Sequence, residues 1–136
     1  IIRYPEMYRA AVSVASPTDI IELIDYFDDI DNKFSYEFWK TTIGDPDDEE
    51  EYLEKISPIY NIEKITRPVL LFHGEKDEVI PVSQTKEFIE EAEDLGKKIE
   101  HKIIKDEDHS ISENRNVEFI LRKSIQFYNE NKKENI

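Results

Sequence analysis

A chain of 136 residues holds one domain with a single modest core. Its formal net charge of −14 repels phosphates and anionic lipid, so neither nucleic acid nor a membrane is an expected partner. With no cysteine, disulfides, thiolate catalysis and zinc–thiolate sites are excluded, and the absence of a membrane-length apolar run or a signal-peptide pattern leaves a cytoplasmic protein as the expectation.

The first apolar run, "RAAVSVAS" (9–16), is rich in β-branched residues and ends at "PTD", which reads as a buried strand. Asp19 is placed to cap a helix whose Ile20, Leu23, Ile24 and Phe27 share one face. After the polar interruption "DDIDNKF", "SYEFWKTTIG" reads as a short helix stopped by Gly44. "DPDDEEEYLEKI" reads as another, opened by Asp45 and Pro46, with an acidic first turn suited to the positive end of the helix dipole. "SPIYNIEKI" is a connector.

The second half is more regular. "RPVLLFH" (67–73) is continuously apolar, as a strand buried on both faces must be. "SQTKEFIEEAEDLG" (83–96) is an amphipathic helix with Phe88, Ile89, Ala92 and Leu95 inward and Gly96 at its end. "KKIEHKIIK" (97–105) is a strand. "SENRNVEFILRKSIQFYNENKK" (112–133) is a long helix with Val117, Ile120, Leu121, Ile125 and Phe127 or Tyr128 inward, and the tail "NENKKENI" is expected to fray.

Strands separated by helices pair in parallel through right-handed crossovers. The expected fold is therefore α/β and three-layered, about three parallel strands with helices on both faces. Such a sheet is small for its class, and "AAVSVA" is the strand expected to leave an apolar, unpaired edge. That edge is a route to self-association. It also suggests that the chain, which opens on "IIRYPEMY", is the carboxyl-terminal part of a larger domain.

Ligands of open parallel sheets bind beyond the carboxyl ends of the strands. Asp77, in "HGEKDEVIP", follows one strand, and His109, in "DEDHSI", follows the next. Either alone is an ordinary turn residue. Together, in adjacent loops, a carboxylate could hold the Nδ1–H of an imidazole and leave Nε2 to act as a base. His73 ends a buried strand and is expected to bond locally, and His101 to face solvent. Asp106, Glu107, Asp108 and His109 are consecutive, so they point apart rather than onto one metal ion. No cofactor is expected.

A nucleophile is missing. The strained elbow G-x-S-x-G needs glycines beside a serine. Gly44, Gly74 and Gly96 are the only glycines and none flanks a serine at that spacing. Ser110 adjoins His109 but has no elbow. In the chain order nucleophile, acid, base, the serine would lie upstream of Ile1.

These residues resemble the carboxyl-terminal half of the peptidase domain of the prolyl oligopeptidase family, in its acylaminoacyl-peptidase and dipeptidyl-aminopeptidase-like branch. "RYPEMYRAAVSVASPTD" is similar to the segment after the nucleophile helix. "FWKTTIGDPDDEEEYLEKISPIYNIEKITRPVLLFHGEKDEVIPVSQTKEF" is similar to the family's excursion and acid strand, and "DEDHSISENRNVEFILRKSIQFY" to its histidine loop and last helix. The resemblance spans nearly the whole chain. It implies an α/β-hydrolase fold, Asp77 as triad acid, His109 as triad base, a serine in an elbow outside these residues, and a peptide substrate for the intact protein. It also implies that the chain alone is inactive. Ser110 stands where the family often has glycine, and Ile80 where valine is usual. Two other readings stay open: a fragment of an α/β-hydrolase esterase, and a non-catalytic module that pairs through its open sheet edge.

Overall fold

The computed structural model describes residues 1–132. After a single 3-10 turn at Pro5–Met7, the chain enters strand β1 (Ala11–Val14). Three helices follow, α1 (Ile20–Asp29), α2 (Lys33–Thr42) and α3 (Pro46–Ile56). A 3-10 stretch, Ile59–Lys64, leads to β2 (Val69–Gly74), α4 (Val82–Asp94), β3 (Glu100–Ile104) and α5 (Asn114–Asn131). The strands form one parallel sheet in the order β1-β2-β3. This is the α/β arrangement the sequence predicts. The expectation of a fraying tail falls partly on residues 133–136, outside those described; as far as Asn131 the chain is helical.

The core is organised by β2, buried along its whole length. Alternate residues of a strand point to opposite faces. Val69 and Leu71 pack with Phe88, Ile89 and Ala92 of α4 and with Ile62, Ile65 and Ile99. Leu70 and Phe72 face the other way, onto Ile104, Ile111 and Ile120 and Phe127 of α5. The central strand therefore carries two half-cores, and its continuous apolar run is the consequence.

Burial differs from the sequence expectation at three places. β1 is only half-buried: Val12 and Val14, in register with Leu70 and Phe72, are 40% and 42% exposed. They lie on the α5 side of the sheet and remain uncovered at its edge. Leu95 is exposed, because α4 has ended at Asp94 and Gly96 turns the chain with φ 69°. On α5 only Ile120 and Phe127 of the residues expected inward are buried; Val117, Leu121, Ile125 and Tyr128 are exposed. A helix lying on so narrow a sheet buries one line of side chains two turns apart, and the remainder of its apolar stripe turns outward.

The helices between β1 and β2 are fastened at their ends. Asp19 Oδ1 accepts from Ile21 N and Glu22 N, as its position before α1 predicts. Asn32 caps α2 and Asp45 caps α3. The buried Gln84 joins this excursion to α4: its Oε1 accepts from the backbone of Thr18 and Asp19, and its Nε2 donates to Glu22 Oε2. Ser57 Oγ accepts from Ile20 N. Among the described residues no helix is long and apolar enough to cross a membrane.

Partial burial pushes the Glu22 carboxyl above its ordinary range, helped by the nearby charges of Glu87 and Asp19. A carboxylate raised on folding destabilises the fold above its folded pKa, and that penalty disappears as pH falls to the ordinary value of 4.5. Glu22→Gln is therefore expected to raise the thermal midpoint at neutral pH, with the gain shrinking to nothing as pH approaches 4.5. Melting curves of both proteins across pH check the sign.

Candidate active site

Parallel pairing places Gly74 opposite Ile104, so the loops after β2 and β3 leave the sheet side by side. They are stitched by their own backbones. Glu75 N donates to Ile104 O at 3.0 Å and Lys76 N to Glu107 O at 2.8 Å. Gly74 is required here. A Cβ at that position would lie 2.4 Å from Asp108 O and 2.7 Å from Glu107 O, both backbone atoms that cannot step aside independently. The second loop is bent into place by left-handed residues at both ends, Asp106 at φ 62° and Ile111 at φ 44°. For a β-branched residue such as Ile111 this conformation is strained. Burial of its side chain against Phe72 and Ile120 accompanies the strain.

Asp77 lies at the centre of the first loop with its side chain fully buried. Oδ1 accepts from Val79 N at 2.9 Å and Ile80 N at 2.8 Å, closing an Asx-type turn. Oδ2 lies 2.9 Å from His109 Nδ1 and 3.2 Å from His73 Nε2. A carboxylate oxygen accepts, so His109 donates through Nδ1–H, and in the neutral ring its Nε2 holds the lone pair. The His109 side chain is 40% exposed. Among the described residues no group hydrogen-bonds its Nε2, and no serine hydroxyl bonds the ring. The buried acid and the open imidazole form a pair that can take a proton from a group approaching from outside.

The neighbouring residues separate by role. Glu107 is buried; it accepts from Ser112 N, Glu113 N and Asn116 Nδ2, satisfying amides at the start of α5 that no side-chain cap serves. Asp108 accepts from Ser110 N, and Asp106 pairs with Lys76 at 2.7 Å on the surface. The carboxylates of "DED" thus point three ways. His101 is exposed on β3, as its sequence position suggests. His73 does bond locally, to Thr85 Oγ1 and Ile80 O, but it also reaches Asp77, a contact that the pattern of the strand does not reveal. The excursion closes over the first loop. Tyr26 of α1 donates its hydroxyl to Glu78 O at 3.0 Å, and Ile80 packs with Leu23 and Phe27. Burial pushes the Tyr26 hydroxyl above its ordinary pKa, with Glu78 and Asp77 adding to the effect.

The chain belongs to the prolyl oligopeptidase family (peptidase S9), whose family model matches residues 1–135. Among solved structures it is similar to a Mycobacterium tuberculosis puromycin-hydrolysing peptidase, at 23% identity and a TM-score of 0.76 over 91% of this chain and 18% of that one. It is similar to an acylaminoacyl peptidase in complex with Z-Gly-Gly-Phe-chloromethyl ketone, at 23% identity and TM-score 0.76 over 91% of this chain and 20% of that one. It is also similar to the acylaminoacyl peptidase of Pyrococcus horikoshii, at 22% identity and TM-score 0.77 over 100% of this chain and 22% of that one. These likenesses establish the α/β-hydrolase peptidase fold expected from the sequence. The chain spans about a fifth of the length of these relatives. No curated protein matches the chain.

Gly74→Ala is expected to lower unfolding free energy by about 1–3 kcal/mol, the range for overpacking a tight contact. The added methyl displaces the second loop, so the Nδ1 proton signal of His109 should also be lost. Urea unfolding with proton spectra of the imidazoles tests both parts.

Proposed function

We propose that this chain carries the acid and the base of a serine peptidase acting on short peptides, releasing aminoacyl, dipeptidyl or acylaminoacyl units. We further propose that its 136 residues are the carboxyl-terminal part of the catalytic domain. The nucleophilic serine would then come from a segment outside them. The observation that carries this reading is the 2.9 Å contact between buried Asp77 and exposed His109. The S9 family match supports peptidase chemistry. A peptide substrate is supported by the relative solved with Z-Gly-Gly-Phe-chloromethyl ketone.

In the proposed reaction His109 Nε2 removes the serine Oγ proton as Oγ attacks the scissile carbonyl carbon. Asp77 keeps the imidazole in the tautomer with hydrogen on Nδ1 and stabilises the imidazolium that forms. His109 then gives the proton to the leaving amine as the C–N bond breaks, leaving an acyl ester on serine. Water repeats the sequence: His109 takes its proton as its oxygen attacks the ester carbonyl, then returns that proton to serine Oγ as the acyl C–O bond breaks and the acid leaves. Each of these steps uses that serine, so the proposed reaction belongs to the longer protein.

The purified 136-residue chain is expected to show no turnover of aminoacyl or acyl-peptide chromogenic substrates. Turnover that a serine-directed inhibitor abolishes by modifying one of its own serines would sink the reading. In the longer protein, Asp77→Asn is expected to lower kcat by about 10⁴-fold with little change in KM. The open edge of β1, with Val12 and Val14 exposed, supports self-association of the isolated chain. Sedimentation velocity should show a mass that rises with concentration, and a monomer at all concentrations would refute that part.

A further inference from the structure

His73 has no part in the acid–base reading, yet it is a wholly buried imidazole in contact with the acid. We propose that His73 is a positioning residue that holds Oδ2 of Asp77 in line with Nδ1 of His109. The proposal deepens the reading of that pair and rests on it.

The argument begins with the tautomer. His73 Nε2 lies 2.8 Å from Ile80 O, and a carbonyl oxygen only accepts. Nε2 therefore carries a hydrogen in either charge state of the ring. In the neutral ring Nδ1 is an acceptor, and the buried Thr85 hydroxyl at 2.7 Å donates to it. Both nitrogens are engaged by groups of the loop and α4, so the ring cannot turn without breaking buried hydrogen bonds. The nitrogen so fixed, its hydrogen bonded to Ile80 O, also lies 3.2 Å from Asp77 Oδ2.

Asp77 needs such a partner. Its Oδ1 is held by the amides of Val79 and Ile80, which makes that atom a pivot and leaves Oδ2 free to swing about it. His109 is a poor anchor, because it is half-exposed and is itself the group to be oriented. His73 Nε2, fixed 3.2 Å away, is the buried polar group beside that oxygen. A histidine kept only to fill the core would be satisfied by Thr85 and Ile80 and would need no anion beside it.

The test reads imidazole ¹⁵N shifts and Nδ1 and Nε2 proton signals of the full 136-residue chain, at a pH well above the ordinary histidine range. In the unmodified chain, His109 is expected with hydrogen on Nδ1 and His73 with hydrogen on Nε2. His73→Phe removes the nitrogen beside Oδ2, and His109 should become a mixture of tautomers and lose its Nδ1 proton signal. His73→Gln can present an amide N–H near the same point and should restore it. A folded His73→Phe protein with a lower thermal midpoint but an unchanged His109 tautomer would overturn the proposal. Asp77→Asn keeps the experiment decisive should His73→Phe fail to fold. Its amide oxygen stays with Val79 N and Ile80 N, so its NH₂ replaces Oδ2. The signals of both histidines should then move. If only the His109 signals move, His73 does not engage the acid and the proposal fails while the acid–base reading stands. If the His109 signals stay unchanged, the reading itself fails.

Discussion

A buried carboxylate must be met by donors, and most of this site follows from meeting that demand at Asp77. Leaving one ion unpaired inside a protein costs several kcal/mol. Three N–H groups bond its two oxygens, two amides of its own turn and one exposed imidazole, and the fixed imidazole of His73 lies 3.2 Å from one of them. His109 comes from a different loop, so that loop has to come close. Its approach explains the bare backbone at Gly74, the amide of Lys76 on Glu107 O, and the left-handed residues at Asp106 and Ile111.

Glu107 offers the contrast that gives Asp77 its meaning. Both are buried carboxylates in adjacent loops, and both are satisfied. The partners of Glu107 are two backbone amides and an asparagine, groups that do not act as acids or bases. It closes the start of α5 and thereby fixes the far end of the His109 loop. Asp77 instead bonds an imidazole, a group able to take and give a proton, that opens to solvent. Burial and satisfaction are common to structural and chemical carboxylates; the identity of the donor separates them.

Much of the fold could be read from the sequence, because its signals are local. Asp19 before "IIELI", Asp45-Pro46 before the acidic turn, and the continuous apolar run of β2 each name an element through its own chemistry. The outward turn of Leu121, Ile125 and Tyr128 was not legible: periodicity marks a stripe, and the width of the surface beneath decides how much of it is covered. At the site, Asp77 and His109 were placed by their positions after strands. The contacts of His73 and Glu107 depend on two loops crossing, and neither residue lies at a spacing that announces a partner.

The two edges of the sheet are built differently, and under the proposed reading the difference bears on where a further strand would pair. On β3, Glu100, His101 and Lys102 are exposed, and charge along an edge opposes pairing with another strand. On β1 the exposed side chains are Val12 and Val14, with no charge within the strand. The guarded edge lies beside the histidine loop, and the unguarded edge is one strand from the acid. Under the proposed reading a nucleophile-bearing strand would pair at β1, because β3 is closed to it by its own charges. The acid would then sit on the middle strand of the enlarged site. That placement makes the rigid clamp on Asp77 consequential, since any drift of the carboxylate would misalign the imidazole with a nucleophile held on a different strand.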